Sequence, residues 1–244
     1  MRERKIMRKH ERVAVYMGNR KYYKMMLLAS KSLLFHTAVD RIVFLTEDDA
    51  FPVGLPPVYR CVNVSGQRYF DPHGPNVNGY YTYMTLMRAA LSKLFPEYDR
   101  VLLLDPDTVV SGSLDELWGT DLGGYYYAAV RETRNNNHTK VPYFNAGVML
   151  CNLAALRDGT DDRIIHEINT VGYEYLEQDV INFLCDGRIR ELPAEYNASH
   201  CTGPSDTERI HHYVSYSKHM FLPAADRYDR MTFEEIFKSR KDGD

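Results

Sequence analysis

Ten residues near the middle of the chain, Val101–Val110 with the sequence VLLLDPDTVV, restrict its possible folds more than any other stretch. Four consecutive large aliphatic residues predict a strand buried on both faces, the habit of parallel sheets covered by helices. The run ends at two carboxylates, Asp105 and Asp107, separated by Pro106, which has no N–H to donate. In extended chain, residues i and i+2 point to the same side, so both carboxylates are expected together at the carboxyl end of a core strand. Open α/β sheets bind their ligands at that end. Like charges held close repel unless a cation neutralises them, and a divalent metal is the simplest one. Alone, the decapeptide fits a metal site and an Asp-rich turn equally well.

The flanking pattern is that of an α/β protein. Apolar runs predict strands at Val13–Met17, Ile42–Leu45, about Val58–Val64, Tyr125–Val130, Phe144–Asn152, Ile189–Leu192 and Ile210–Ser215. Longer segments predict helices at Tyr22–Phe35, at Tyr80–Phe95 (stopped by Pro96), at Asp161–Val171 and at Gln178–Cys185. Ser113 to Glu116 reads as the start of a single turn carrying Trp118, and Thr232 with Glu235 as the capping box of a last helix. Segments 65–79 and 131–140 are polar loops. With 244 residues and neither repeat nor linker, the economical organisation is one domain over residues 12–220. A polar lead-in of residues 1–11 precedes it and a helical extension, residues 221–244, follows.

A net charge of −3 argues against a nucleic-acid partner gripped through its phosphates. No stretch reaches the length of a membrane span, and the basic N-terminus lacks a signal-length apolar run. Cys61, Cys151, Cys185 and Cys201 form no CxxC pair and read as reduced. The sequons at Asn63, Asn137 and Asn197 matter only in a secreted protein. A cytoplasmic protein is expected, and a peripheral place at the inner membrane face is compatible with it.

Four further features lie where a ligand at Asp105 and Asp107 would meet them. Arg88, just before the central strand, is suited to clamp a diphosphate or a sugar hydroxyl, although taken alone a solvated helix-face charge is the better reading. In FNAGVML, Asn145 offers two donors and an acceptor, and the small residues after it let a ligand approach the backbone. Glu177, Gln178 and Asp179 gather at a helix start; such clusters usually serve the helix dipole, but an amide and carboxylates also suit a cationic transition state. His211-His212-Tyr213 ends an apolar strand, with Lys218 six residues beyond His212. One imidazole added to two carboxylates suits Mn²⁺ better than Mg²⁺, which prefers oxygen.

In order and approximate spacing, DPD after VLLL, NAGVML, EQDVIN, LPAEYN and HYVSYSK resemble glycosyltransferase family 8. That family includes glycogenin-like, galactinol-synthase-like and bacterial lipopolysaccharide glycosyltransferases. The resemblance spans Val13 to Lys218. It implies a GT-A fold, a Rossmann-like mixed, mainly parallel sheet flanked by helices, binding a UDP-sugar through Mn²⁺. It assigns Asp105, Asp107 and His212 to the metal, Lys218 to the diphosphate, and Arg88, Asn145 and Gln178 to the donor sugar. Tyr22 matches a tyrosine that stacks on uracil, and Asn19 stands where the family often has Asp to read the base edge. Three departures stand out: Glu177 replaces the usual Asp, Ser215 the glycine of HxxG, and His219-Met220 the following Pro-Trp.

The resulting expectation is a retaining, Mn²⁺-dependent transfer of a hexose, glucose or galactose, from a UDP-sugar to an acceptor hydroxyl. Glu177, Gln178 and Asn145 are the candidates for direct contact with the reacting sugar. None is a compelling nucleophile, which favours front-face substitution. The acceptor class (carbohydrate, lipid-linked glycan or protein) is left open. Two rivals remain. Asp105-Pro106-Asp107-Thr108-Val109 also fits the nucleophile loop of haloacid-dehalogenase-like phosphatases, with Asp105 attacking and poor partners in Lys140 and Asp161-Asp162. A self-glycosylating or UDP-sugar-binding module is the other, with Tyr125-Tyr126-Tyr127 as conceivable acceptors.

Overall fold

The computed structural model describes residues 11–77, 82–133 and 142–241. The lead-in expected at residues 1–11 therefore lies, except for Glu11, outside the described residues, as do Lys140 and the sequon at Asn137. Seven strands form one sheet: β1 (Val13–Met17), β2 (Arg41–Thr46), β3 (Tyr59–Asn63), β4 (Arg100–Leu104), β6 (Tyr127–Arg131), β7 (Phe144–Asn152) and β8 (Ile189–Leu192). Their order is β3-β2-β1-β4-β7-β6-β8, and only β7 runs against the others. This is the mixed, mainly parallel sheet expected from the sequence.

Alternation along each strand feeds two cores, one on each face. Val13, Val15, Val43, Leu103 and Met149 point to one side, where α6 (Thr160–Thr170) and α7 (Leu176–Leu184) contribute Ile164, Ile168, Val180 and Ile181. Ala14, Tyr16, Phe44, Leu102, Leu104 and Leu150 point to the other. There they meet α1 (Tyr23–His36), α8 (Phe221–Arg230) and α9 (Phe233–Lys241). Leu102, Leu103 and Leu104 are fully buried, and each contributes about 1.5–3 kcal/mol of burial. The C-terminal helices sit on α1: Lys31 Nζ donates to the carbonyls of Tyr228 (3.1 Å) and Met231 (2.7 Å) near the end of α8. The Thr232–Glu235 capping box is formed in both directions, at 2.6 and 3.2 Å.

Two expectations are corrected. Asp105 and Asp107 do not lie on extended chain. Pairing with the sheet stops at Leu104, the chain turns through Pro106-Asp107, and β5 (Thr108–Val110) leaves to form a separate antiparallel ribbon with β9 (Ile210–His212). Proline without an N–H cannot continue the ladder. The single helix expected over Tyr80–Phe95 is also broken. Its described part is α2 (Tyr83–Leu86), a 3₁₀ segment Met87–Ala90 and α3 (Leu91–Leu94). Met87 N–H is shared between the carbonyls of Met84 and Tyr83, and Arg88 Nε reaches back to Thr85 O at 3.3 Å. That tightening turns Arg88 inward, leaving it only 7% exposed.

Candidate active site

At the carboxyl end of β4 a cleft of about 260 Å³ opens, and all ten site residues expected from the sequence line it. Asp105 is held in place by its own backbone, whose N–H donates to Gly147 O on β7 at 2.8 Å. The β5–β9 ribbon pairs Thr108 with His212, and Tyr213 N–H donates to Asp107 O at 2.9 Å. This register carries His212 across about a hundred residues of sequence to the DPD turn. His212 Nε2 lies 3.3 Å from Asp107 Oδ1 and 3.6 Å from Asp105 Oδ2. Carboxylate oxygens of both aspartates and a ring nitrogen of His212 all lie within 4.8 Å of one another.

The charges are paired. Arg88 reaches Asp105 Oδ1 through NH2 at 3.0 Å and Glu177 Oε1 through Nε at 2.9 Å, and its NH1 donates to Ala146 O at 2.6 Å. Lys218 Nζ meets Asp107 Oδ2 at 3.0 Å. Burial alone would raise the pKa of Asp105, but Arg88 and His212 outweigh it and hold the carboxyl well below its usual range. Burial likewise opposes protonation of His212, yet the two aspartates push its pKa up to about 9. In Glu177 burial wins over Arg88 and the pKa rises to about 7. Glu177 Oε2 has no hydrogen-bond partner in its buried position.

Across the cleft, the first turn of α7 forms a network of neutral donors. Gln178 Oε1 accepts from Ala146 N–H at 2.8 Å, and its Nε2 donates to Tyr143 OH (3.1 Å) and Glu132 Oε1 (3.3 Å). Asp179 accepts from Tyr143 OH and from Tyr175 N–H. Asn145 Nδ2 donates to the same Glu132 oxygen at 2.9 Å. At the other end of the cleft Asn19 Oδ1 caps the 3₁₀ turn Arg20–Tyr22 through Lys21 N–H, and Lys218 Nζ stands 5.3 Å from the Tyr22 ring centre.

Sequence reasoning missed Glu132 and gave no role to Asn197. Glu132 follows β6 inside the polar run that begins at Arg131, and nothing local singles it out from its neighbours. Asn197 lies within the LPAEYN motif, but nothing local says what its side chain meets. Gly147 also needs a corrected reason. Its missing side chain was expected to admit a ligand; what lies against it is the His212 ring, and a Cβ there would fall 2.6 Å from Nδ1. Of the phosphatase partners within the described residues, Asp161 and Asp162 pair with Lys93 at 3.2 and 2.9 Å and do not line the cleft. Of the tyrosine triplet, Tyr126 and Tyr127 are buried.

The fold agrees with comparison to known proteins. The model of glycosyl transferase family 8 matches residues 55–219, and the chain belongs to that family. It is 28% identical over 204 residues to the glycosyltransferase GlyE of Streptococcus pneumoniae serotype 4, covering 78% of this chain and 48% of the relative. It is 29% identical over 149 residues to a putative glycosyltransferase of Haemophilus influenzae, covering 56% of this chain and 44% of the relative. The chain thus spans about half the length of these curated relatives. The GlyE crystal structure superposes with a TM-score of 0.71 at 22% identity over 96% of this chain and 64% of that one. A structure of the galactosyltransferase LgtC in complex with donor and acceptor sugar analogues gives 0.70 at 21% over 91% and 98%. These likenesses establish the GT-A fold. No helix among the described residues is long and apolar enough to cross a membrane.

Proposed function

We propose that the chain transfers a hexose, glucose or galactose, from a UDP-sugar to an acceptor hydroxyl with retention of configuration and with Mn²⁺ as resident metal. The observation that carries this reading is the meeting of Asp105, Asp107 and His212 on one side of the cleft, with Arg88 and Lys218 beside them. The donor set fits the metal: two hard oxygens with one imidazole nitrogen suit Mn²⁺, and all three side chains are at least partly buried. Asp105, Asp107 and His212 would hold the ion, which supplies Lewis-acid compensation for charge developing on the diphosphate.

Lys218 is the cation free to exchange Asp107 for a phosphate oxygen, because its side chain is 35% exposed while that of Arg88 is 7% exposed. Arg88, tied to backbone and to two carboxylates, orients the donor sugar from a fixed position. Tyr22 and Asn19 lie at the end of the cleft where the uracil belongs. Gln178 has both ends of its amide engaged, so it acts by position and not as a nucleophile. That supports front-face substitution, with the acceptor hydroxyl delivered on the side the diphosphate leaves and its proton taken by the departing phosphate.

Asp107→Ala is expected to abolish Mn²⁺-dependent UDP-sugar hydrolysis, measured as UDP release. Undiminished turnover in this variant overturns the metal assignment. The donor is found by a thermal-shift panel of UDP-sugars with Mn²⁺, since a ligand that binds only the folded chain raises its melting temperature.

A further inference from the structure

A chain of hydrogen bonds runs behind the cleft from the backbone of β7 to His212. Gly147 N–H donates to Asn145 Oδ1 at 3.0 Å, and a backbone N–H can only donate, so this atom is an acceptor. Asn145 Nδ2 is thereby aimed at Glu132 Oε1, which accepts it at 2.9 Å. Asn197 Nδ2 donates to the same Asn145 Oδ1 at 2.9 Å. The remaining end of Asn197, Oδ1, is then an acceptor, and it faces His212 Nδ1 at 3.0 Å. The ring nitrogen on that side must carry a hydrogen. Nε2, on the other side, is the nitrogen turned to Asp107 and Asp105.

Every member of the relay is screened from water: Asn197 is 0% exposed, His212 3% and Asn145 5%. Water therefore cannot substitute for a missing link, and an unmatched amide in this position is costly. Gly147 closes the arrangement from behind, because it alone leaves room for the imidazole against β7.

We propose that Asn197 is a positioning residue for metal binding: it fixes hydrogen on His212 Nδ1 and so presents Nε2 as the ligand, with Asn145 and the Gly147 amide fixing Asn197 in turn. The proposal rests on the Mn²⁺ site read above and adds to it a residue that touches neither metal nor donor. Ligating histidines gain orientation and basicity from such partners, and removing one typically weakens metal binding about 10- to 100-fold.

The test measures Mn²⁺ affinity of the full chain by the electron paramagnetic resonance signal of the free ion, with saturating UDP. Asn197→Leu is expected to weaken Mn²⁺ binding about 10-fold or more. Asn197→Asp keeps an acceptor for His212 Nδ1 but sets an oxygen where Nδ2 donates to Asn145 Oδ1, so it is expected to lose stability while its loss of Mn²⁺ affinity stays at least about threefold smaller than that of the Leu variant. In the Zn²⁺-loaded parent protein, nitrogen NMR of the imidazole is expected to show a slowly exchanging Nδ1–H and a metal-bound Nε2. A purely structural asparagine would lower the melting temperature without moving these readouts.

Unchanged affinity in Asn197→Leu, equal losses in the Leu and Asp variants, or a metal on Nδ1 in the parent protein each overturns the proposal. Should the Leu variant not fold, the nitrogen spectrum of the parent decides. Failure of the parent chain itself to bind Mn²⁺ with UDP removes the donor-site reading and this inference together. Binding by the parent with no response to Asn197 removes only the inference.

Discussion

The two lips of the cleft are built on different principles. On the lip formed by the DPD turn and the β5–β9 ribbon, each carboxylate is answered by a cation: Asp105 by Arg88 and Asp107 by Lys218, with His212 between them. On the lip formed by the first turn of α7, Gln178 and Asp179 are answered by amide N–H groups, a tyrosine hydroxyl and Glu132. A charge-paired lip can exchange partners with an incoming ion or phosphate at modest cost. A network of hydrogen bonds from uncharged donors, several of them shared, is harder to rearrange and holds geometry. Under the proposed function the first lip binds charge and the second fixes the reacting sugar. Glu177 is the exception: it sits on the second lip but looks to Arg88 of the first.

Gly147 tests the charged lip most severely. Gly147→Ala would put a methyl group into the His212 ring, which Asn197 holds from behind and β9 from the side. Overpacking of this kind costs about 1–3 kcal/mol of stability. The larger consequence is at the proposed metal site, where a displaced His212 should weaken Mn²⁺ binding about 100-fold and reduce the proposed UDP-sugar turnover in proportion. Calorimetric titration with Mn²⁺ and UDP checks this. If Gly147→Ala binds Mn²⁺ like the parent protein, the distinction between the lips loses its main support, because the ring would not need its present position.

The two lips also differ in how far they could be read from sequence. The DPD turn announces itself locally, by four aliphatic residues running into two carboxylates around a proline. His212 and Lys218 were legible as residue types at a suggestive spacing. What no local pattern contained was the register Thr108↔His212, which requires β4 to stop at Leu104 and the chain to change sheets. The expectation of extended chain through Asp107 failed for that reason: the local pattern shows where the apolar run ends, not that the chain turns there to join a second ribbon. The α7 lip was less legible still. Glu132 and Asn197 stand among other polar residues, and their importance arises only from what folding sets opposite them. Buried networks of this sort leave no periodicity, whereas both faces of the central sheet do.

Backbone strain marks both lips, and the described residues contain only two non-glycine residues with positive φ. Leu176, just before Glu177, and Ser215, just before the Lys218 turn, both have φ of 52°. Leu176 is 4% exposed and packs into the core beneath α7. Leu176→Gly would relieve the strain but delete that anchor, so a net loss of about 2–4 kcal/mol is expected in urea unfolding. A neutral or stabilising result would mean the α7 lip is not held from below.

Glu177 comes next in size. Its folded pKa of about 7 lies above the ordinary 4.5, so burial favours the protonated carboxyl. The stability this contributes is fully present below pH 4.5 and is lost as pH rises through about 7. A shift of this size corresponds to about 3 kcal/mol as an order of magnitude. Glu177→Gln has nothing to ionise, so between pH 5 and pH 8 the parent protein should lose about that much stability relative to the variant. Urea midpoints at four pH values across this window measure it. Parallel curves would place Glu177 with its fully satisfied neighbours and erase it as the exception between the lips.

Ser215 gives the smallest effect and the cleanest contrast with Leu176, because the same φ occurs there without a buried side chain. Ser215 is exposed, and the family resemblance places a glycine at this position. A left-handed conformation costs a non-glycine residue about 1–2 kcal/mol, which Ser215→Gly removes. Glycine returns part of that by making the unfolded chain more flexible, about 0.4–1 kcal/mol. The balance is a gain of about 0.5 kcal/mol, opposite in sign to Leu176→Gly at the same dihedral angle. Thermal unfolding of the two variants side by side checks the pair of signs. If Ser215→Gly destabilises, the serine is held by more than its backbone, and the turn that carries Lys218 is less free to exchange Asp107 for phosphate than its exposure suggests.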